Sequence, residues 1–200
     1  ISYLYLKGRC RYCKVRIPLR LFLVETFCGG TAALLALGKL STFGVTETLV
    51  LGVILFCFIG IFVADLVYGL IPDLFVVIIA IASLFYVLIL GQSITQHVIT
   101  GIASLLFFLL LFAITRGRGM GFGDVKLSFA LGFLLGFPGI IVSLYLAFLT
   151  GAGVSIILVI CRKLKFFGST IPFGPFLVAS AVVALFWGQQ IFQMFIFRFL

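Results

Sequence analysis

Two aspartates are the residues of this chain best placed to do chemistry. Asp65 and Asp124 each lie at the edge of a long apolar run, in a sequence with five acidic residues in all. A carboxylate at membrane depth costs about 2.5–3.5 kcal/mol on insertion scales, so an ionisable residue there indicates function. Two carboxylates about 3 Å apart share a proton, so one acts as a base on water and the other as an acid on the oxyanion and leaving amine. The pair predicts an intramembrane aspartic protease that needs no metal or cofactor for proteolysis.

The element that ends at Asp124 has the pattern Gly-x-Gly-Asp. Gly121 and Gly123 lack a Cβ, so the loop can turn tightly and lie close to an extended substrate backbone. Asp124 is predicted to begin a helix, where exposed amides and the helix dipole favour its charge. The alternative for Asp124 is a capping role alone, and a second carboxylate at matching depth argues against it.

Three neighbouring residues are candidates for supporting roles. Pro72 and Asp73 precede the next apolar run, and Asp73 is interpreted first as an acid in the first turn of a helix. Lys126 follows Asp124 by two positions. It is either a positive charge that orients the protein in the membrane or a charge that changes the pKa of Asp124. The sequence leaves both interpretations open.

Composition requires membrane helices to position these acids. The chain has 200 residues, of which 64% are hydrophobic and 10% are charged, whereas a soluble domain is about 25% charged. We predict an all-α, polytopic transmembrane helix bundle surrounded by the lipid bilayer, with a basic cytoplasmic segment at 1–18 and a transmembrane peptidase domain at 19–200. The net charge of +9 does not indicate nucleic-acid binding, because no polar domain exists to carry it.

The apolar runs predict seven spans, approximately 19–37, 47–65, 71–90, 95–115, 124–137, 139–161 and 172–190. Alternating them across the bilayer puts every Lys and Arg except Lys39 and Arg198 on one side. Basic residues accumulate on the cytoplasmic side of short loops. Asp65 and Asp124 are therefore expected at one depth, at the cytoplasmic ends of their helices.

The sequence resembles the type IV prepilin peptidases, a family of Gly-x-Gly-Asp membrane aspartic proteases, in three ordered motifs that together cover nearly the whole chain. They are Asp65 followed by Ile71-Pro72-Asp73, then Met120-Gly121-Phe122-Gly123-Asp124-Val125-Lys126-Leu127, and Ile171-Pro172-Phe173-Gly174-Pro175.

The resemblance implies the substrate, the compartment and a second activity. It implies cleavage of the leader of type IV prepilins or pseudopilins at the cytoplasmic face of the bacterial inner membrane, and N-methylation of the new N-terminus with S-adenosylmethionine. Pro172, Gly174 and Pro175 are then expected near the site, either as a surface for an extended substrate strand or as a helix-start turn.

The N-terminal segment departs from the family pattern. Bacterial members often carry two Cys-x-x-Cys pairs that resemble a tetrahedral zinc site, and here the one such pair is Cys10 and Cys13. We interpret this pair as half of a zinc site and expect the chain to lack the start of the family's sequence. That missing segment is the one associated with methyl transfer, so the resemblance is weaker support for this activity than for proteolysis.

Two other classes of function remain open at this point. A preflagellin peptidase or a presenilin-like protease would use the same chemistry, although the Pro-Ala-Leu element usual in presenilins is missing. A proton-coupled transporter would also place carboxylates inside a bundle, but it should show inverted repeats, and none is evident.

Overall fold

The protein is a bundle of long helices. The computed structural model describes residues 8–9, 11–13, 15, 24–31, 33, 44–117, 119–161 and 172–199. Its long helices are α1 (Val45–Tyr68), α2 (Asp73–Ile89), α3 (Ile94–Thr115), α4 (Phe122–Ile160) and α5 (Gly174–Phe199). Residues 24–31 are helical as well. The all-α class predicted from the sequence is confirmed.

The helices are suited to a bilayer in length and composition. Helices α1, α3 and α4, and α5 as far as Met194, are each long and apolar enough to cross a membrane. Helix α2 has 17 residues and is about 26 Å long at 1.5 Å per residue, slightly less than the ~30 Å of hydrocarbon. The chain is therefore a multi-pass membrane protein. The count of seven spans stays a prediction, because most of 19–37 lies outside the described residues and the fifth and sixth predicted spans are both parts of α4.

Helix α4 is interrupted between its two halves. Gly136 has a φ of 59°, in the left-handed region, and Phe137 is extended with a ψ of 137°. Pro138 follows and has no N–H to continue the hydrogen-bond ladder. The helix therefore consists of a first limb, 122–135, and a second limb, 139–160, and the interruption falls where the sequence predicts a boundary.

The second limb runs antiparallel to α5. A Cβ on Gly188, near the far end of α5, would lie 3.3 Å from the Cα of Gly139, whereas a Cβ on Gly151 would lie 3.4 Å from the ring of Phe173. These contacts follow each other in opposite order along the two helices, so the chain reverses direction at the interruption. Contacts among the other helix ends are the N–H of Gly174 to Asp65, the ion pair of Lys126 with Asp73 and the rings of Phe112 and Phe122. They show that α1 and α3 finish, and α2, α4 and α5 begin, at one end of the bundle, here called the aspartate end.

Polar side chains of α3 bind the carbonyls that the interruption frees. Thr100 Oγ1 donates a hydrogen bond to the carbonyl of Gly132 at 2.9 Å. His97 Nδ1 lies 2.7 Å from the carbonyl oxygen of Phe133, and because a carbonyl only accepts, Nδ1 carries the proton of this bond. An unpaired backbone carbonyl is costly in lipid. His97 is thus a buried, hydrogen-bonded residue at the end of the bundle opposite the aspartates.

Candidate active site

Asp65 lies near the end of α1 and is 6% exposed. The helix ends because Gly69 adopts the left-handed conformation, with a φ of 62°, and its N–H donates to the carbonyl of Asp65 at 2.9 Å. The carboxylate Oδ2 of Asp65 accepts a hydrogen bond from the N–H of Gly174 at 2.9 Å. Gly174 is the first residue of α5, where amides have no partner within the helix. The start of α5 therefore provides the donor that this buried carboxylate needs.

Asp124 lies in the first turn of α4 and is also 6% exposed. Its Oδ2 accepts a hydrogen bond from the N–H of Gly121 at 3.2 Å, and its own N–H donates to the carbonyl of Gly121 at the same distance. This reciprocal pair caps the helix, so the capping role considered for Asp124 is present. Its other oxygen, Oδ1, is buried and has no hydrogen-bond partner among the described residues. One oxygen of Asp124 thus holds the helix start and the other is free for chemistry.

The two aspartates come from helices that are joined through their neighbours. Helices α2 and α5 each pack against both α1 and α4. Ile71 lies beside both Gly123, the residue before Asp124, and Gly174, whose N–H binds Asp65, so the structure brings the two aspartates to one site at the aspartate end. A pair of this kind can hold one proton between two carboxylates and so offer an acid and a base together.

Two glycines give the site its close contacts. A Cβ added to Gly174 would lie 2.5 Å from Oδ2 of Asp65, and one added to Gly123 would lie 3.0 Å from the Cβ of Ile71. The first distance is about 1 Å and the second about 0.5 Å shorter than an ordinary contact of about 3.5 Å. At Gly174 and Gly123 a larger residue would therefore displace Asp65 or Ile71, whereas a Cβ on Gly121 would meet no atom closer than 3.6 Å.

Asp73 and Lys126 form an ion pair beside the aspartates. Lys126 Nζ lies 2.7 Å from Asp73 Oδ1, with side-chain exposures of 38% and 68%. The ammonium also lies 5.2 Å from the centre of the Phe122 ring. Asp73 is the first residue of α2 and Pro72 occupies the position before it, as expected for a first-turn acid. Lys126 is paired with Asp73, and the ion pair connects the start of α2 to the start of α4.

The start of α5 is held against the bundle by aromatic packing. The ring of Phe173 lies 5.1 Å from that of Phe148, between ring centres, and 6.3 Å from that of Phe108. Pro172 is half-buried, and Gly174 and Pro175 are buried. Proline is tolerated in the first turn of a helix. The segment is thus a helix start, and it lies beside Asp65.

The cysteine pair receives no support from the described part of the chain. Cys13 is exposed and free, and Cys10 lies outside the described residues. Within the described ranges, no group of three or more His, Cys, Asp or Glu side chains could hold a metal ion. The proposed half of a zinc site stays a prediction.

Sequence reasoning missed Ile71 as a residue of this site. Its side chain is 7% exposed and occupies the space into which a Cβ on Gly123 or Gly174 would project. The available signal was its position between Asp65 and the helix that starts at Asp73, directly before Pro72. An isoleucine among so many apolar residues gives no sign that it will face two glycines distant in sequence.

Comparison with known proteins gives consistent matches. The sequence model of the type IV leader peptidase family matches residues 51–156, and that of the bacterial peptidase A24 N-terminal domain matches residues 1–38. No solved structure matches the chain.

Curated relatives match along nearly the whole chain. The prepilin leader peptidase/N-methyltransferase of Aeromonas hydrophila is 32% identical, with 100% of this chain and 69% of the relative covered. Proteins of the same name from Burkholderia pseudomallei (strain 1026b) and Pseudomonas putida are each 33% identical, with 97% and 96% of this chain and 63% and 67% of the relatives covered. The chain thus spans about two thirds of the length of these relatives.

Proposed function

The chain belongs to the type IV leader peptidase family, and from this premise we propose that it is a membrane aspartic endopeptidase that cleaves the leader of prepilins or pseudopilins, with Asp65 and Asp124 as the catalytic pair. The observation that carries the proposal is the pairing of two buried carboxylates, each with one oxygen bound to a backbone N–H at a helix start. Family membership favours this activity over a proton-coupled transporter.

The proposed reaction uses the two carboxyl groups as one unit. The ionised member takes a proton from a water molecule as the water oxygen attacks the scissile carbonyl, and the protonated member donates its proton to the developing oxyanion. When the tetrahedral intermediate breaks down, the leaving amine takes a proton from the pair, one hydroxyl of the intermediate returns a proton to the pair, and the C–N bond breaks. The pair thus ends with the one proton that it held at the start. The free Oδ1 of Asp124 supports a position for the water or the shared proton on that side. Roles are assigned to the pair and not to one residue.

The loop before Asp124 supports a substrate path from the cytoplasm. Arg116 and Gly117 both have positive φ, 51° and 70°, so α3 ends abruptly and the chain turns back toward the aspartates. Basic residues at this end, such as the exposed Arg116 and the half-buried Lys126, favour a cytoplasmic orientation in the inner membrane. Gly121 is exposed and would let an extended leader strand approach the backbone closely.

Methyl transfer is proposed as a second activity because the relatives' names include it and because residues 1–38 match the bacterial N-terminal domain. The cavity beside the interruption of α4 does not fit S-adenosylmethionine. Its volume is about 570 Å³, and it is lined by Gln92, Gln96 and His97 among others, with no Lys, Arg, Asp or Glu. It lies at the end opposite the aspartates and lacks charges to bind the ammonium and carboxylate of that molecule.

Cleavage by purified variants tests the proposal. Asp65→Asn and Asp124→Asn are compared with the unchanged enzyme in proteoliposomes, with a synthetic prepilin leader peptide as substrate. Each is expected to insert normally and to lose leader cleavage. Glu47→Gln is the matched control, since Glu47 lies in the first turn of α1, at the other end of the helix that carries Asp65. Normal cleavage by either aspartate variant, or equal loss in the Glu47 variant, would refute the proposed pair.

A further inference from the structure

Ile71 is a buried residue within an exposed loop. The loop from Gly69 to Pro72 connects α1 to α2, and the neighbouring Leu70 is 64% exposed whereas Ile71 is 7% exposed. Pro72 restricts the residue before it to an extended backbone, so the direction of the Ile71 side chain is fixed by the residue that follows. The loop therefore inserts a single branched aliphatic side chain into the bundle, next to the aspartates.

The side chain occupies the space beside the two glycines that adjoin the catalytic carboxylates. A Cβ on Gly123 would lie 3.0, 3.3 and 3.4 Å from Cβ, Cγ1 and Cδ1 of Ile71, and a Cβ on Gly174 would lie 3.3 Å from Cδ1. Gly123 directly precedes Asp124, and Gly174 donates its N–H to Asp65. The Cβ and Cγ1 of Ile71 thus lie beside Gly123, and its Cδ1 lies beside both Gly123 and Gly174.

We propose that Ile71 is a positioning residue that sets the separation of the Asp65 and Asp124 carboxyl groups by acting as a spacer between Gly123 and Gly174. This inference rests on the proposed function of the pair. Helices α1 and α4 are joined mainly through α2 and α5, so extensive packing between the two helices does not fix the distance between the carboxylates. A side chain of fixed length and branching, held in a close-packed site, fixes it instead.

The size of the effect follows from the chemistry that the pair performs. Misplacement of reacting groups by about 1 Å can lower a rate by about 100-fold. Ile71→Val removes only Cδ1, the atom beside Gly174, while Ile71→Ala also removes both γ carbons, of which Cγ1 lies beside Gly123. We expect kcat to fall by about 10-fold for Ile71→Val and about 100-fold for Ile71→Ala, on the scale of that misplacement. KM should stay within about 3-fold, because a side chain that is 7% exposed offers little surface to a substrate.

Ile79 provides the matched control for lost packing. It lies within α2, is fully buried and belongs to the same hydrophobic core. Ile79→Val and Ile79→Ala remove the same atoms as the two Ile71 variants. They are expected to lower the Tm at least as much as the Ile71 variants but to leave kcat of the folded enzyme within about 2-fold. Equal loss of kcat at positions 71 and 79 would overturn the inference.

A double-mutant cycle tests the contact itself. Gly123→Ala adds a methyl group against Ile71, whose Cβ would be its nearest neighbour at 3.0 Å. The partner substitution is therefore Ile71→Gly, which removes that atom and the two other atoms within 3.4 Å. The double variant is therefore expected to retain at least 5-fold more kcat than the product of the two single effects. Independent, multiplicative effects would overturn the spacer role.

If Asp65→Asn retains cleavage, the proposal of the catalytic pair itself fails. If the aspartate variants are inactive but Ile71→Val is fully active, only the spacer role fails.

Discussion

Gly174→Ala should reduce catalysis without harming the fold. The added Cβ would lie 2.5 Å from Oδ2 of Asp65, 3.1 Å from its Cγ and 3.3 Å from Cδ1 of Ile71. Because ordinary contact needs about 3.5 Å, the carboxylate has to move by about 1 Å. That displacement lengthens the 2.9 Å hydrogen bond from the Gly174 N–H, and a hydrogen bond to a charged group contributes about 1.5–3 kcal/mol.

The expected loss is about 100-fold in kcat, the cost of moving a reacting group by about 1 Å. The backbone itself tolerates alanine, because Gly174 is helical and alanine favours a helix over glycine by about 1 kcal/mol. Stability and activity should therefore change differently, with a Tm within a few degrees of the unchanged protein.

The assay is leader-peptide cleavage at saturating substrate in proteoliposomes, paired with thermal unfolding in detergent. Gly153→Ala is the matched control: Gly153 lies in the second limb of α4, and a Cβ there would meet no atom within 4 Å. It should keep full activity. A Gly174→Ala enzyme with normal kcat would refute the reasoning that this glycine leaves room for the Asp65 carboxylate.

Three further outcomes are expected. Lys126→Met breaks the exposed ion pair with Asp73 and should lower the free energy of unfolding by no more than about 1 kcal/mol; a larger loss would mean that the pair is shielded from solvent. Gly136→Ala should destabilise the protein by about 1–3 kcal/mol, because a Cβ there meets the His97 ring at 2.8 Å and φ is 59°. The folded fraction should still cleave substrate, since this interruption lies far from the aspartates. An unchanged Tm would contradict the claim that a side chain at position 136 is strained. A metal chelator should leave leader cleavage unchanged, since the carboxylate chemistry needs no metal; loss of cleavage that zinc restores would contradict this.

The long helices, and the end of the bundle at which Asp65 and Asp124 meet, were predictable from the sequence. Long apolar runs separated by glycine, proline and charge indicate helices almost independently of tertiary contacts. Alternation of these runs across the bilayer predicted that Asp65 and Asp124 lie at the same end, and the one-sided distribution of basic residues predicts that this end is cytoplasmic. The division of α4 at Pro138 was predictable for the same local reason, since proline cannot continue the ladder.

The contacts between helices were not predictable in this way. A helix that is apolar on all sides has no periodicity to show which face is buried. For that reason nothing local indicated that Ile71 faces Gly123 and Gly174, or that Thr100 and His97 bind the carbonyls of the interrupted helix. The partner of Lys126 was equally hidden, because Asp73 lies on a different helix and meets it only after folding.

The central claim is that Asp65 and Asp124 act as a single catalytic unit, and the double variant tests it most directly. Leader cleavage is measured for Asp65→Asn, Asp124→Asn and the combination, with equal amounts of folded enzyme. Residues that act together are strongly non-additive, so each single change should abolish cleavage to the same residual rate, and the combination should be no slower. A double variant slower by the product of two partial losses would contradict the claim, because the two carboxylates would then contribute independently.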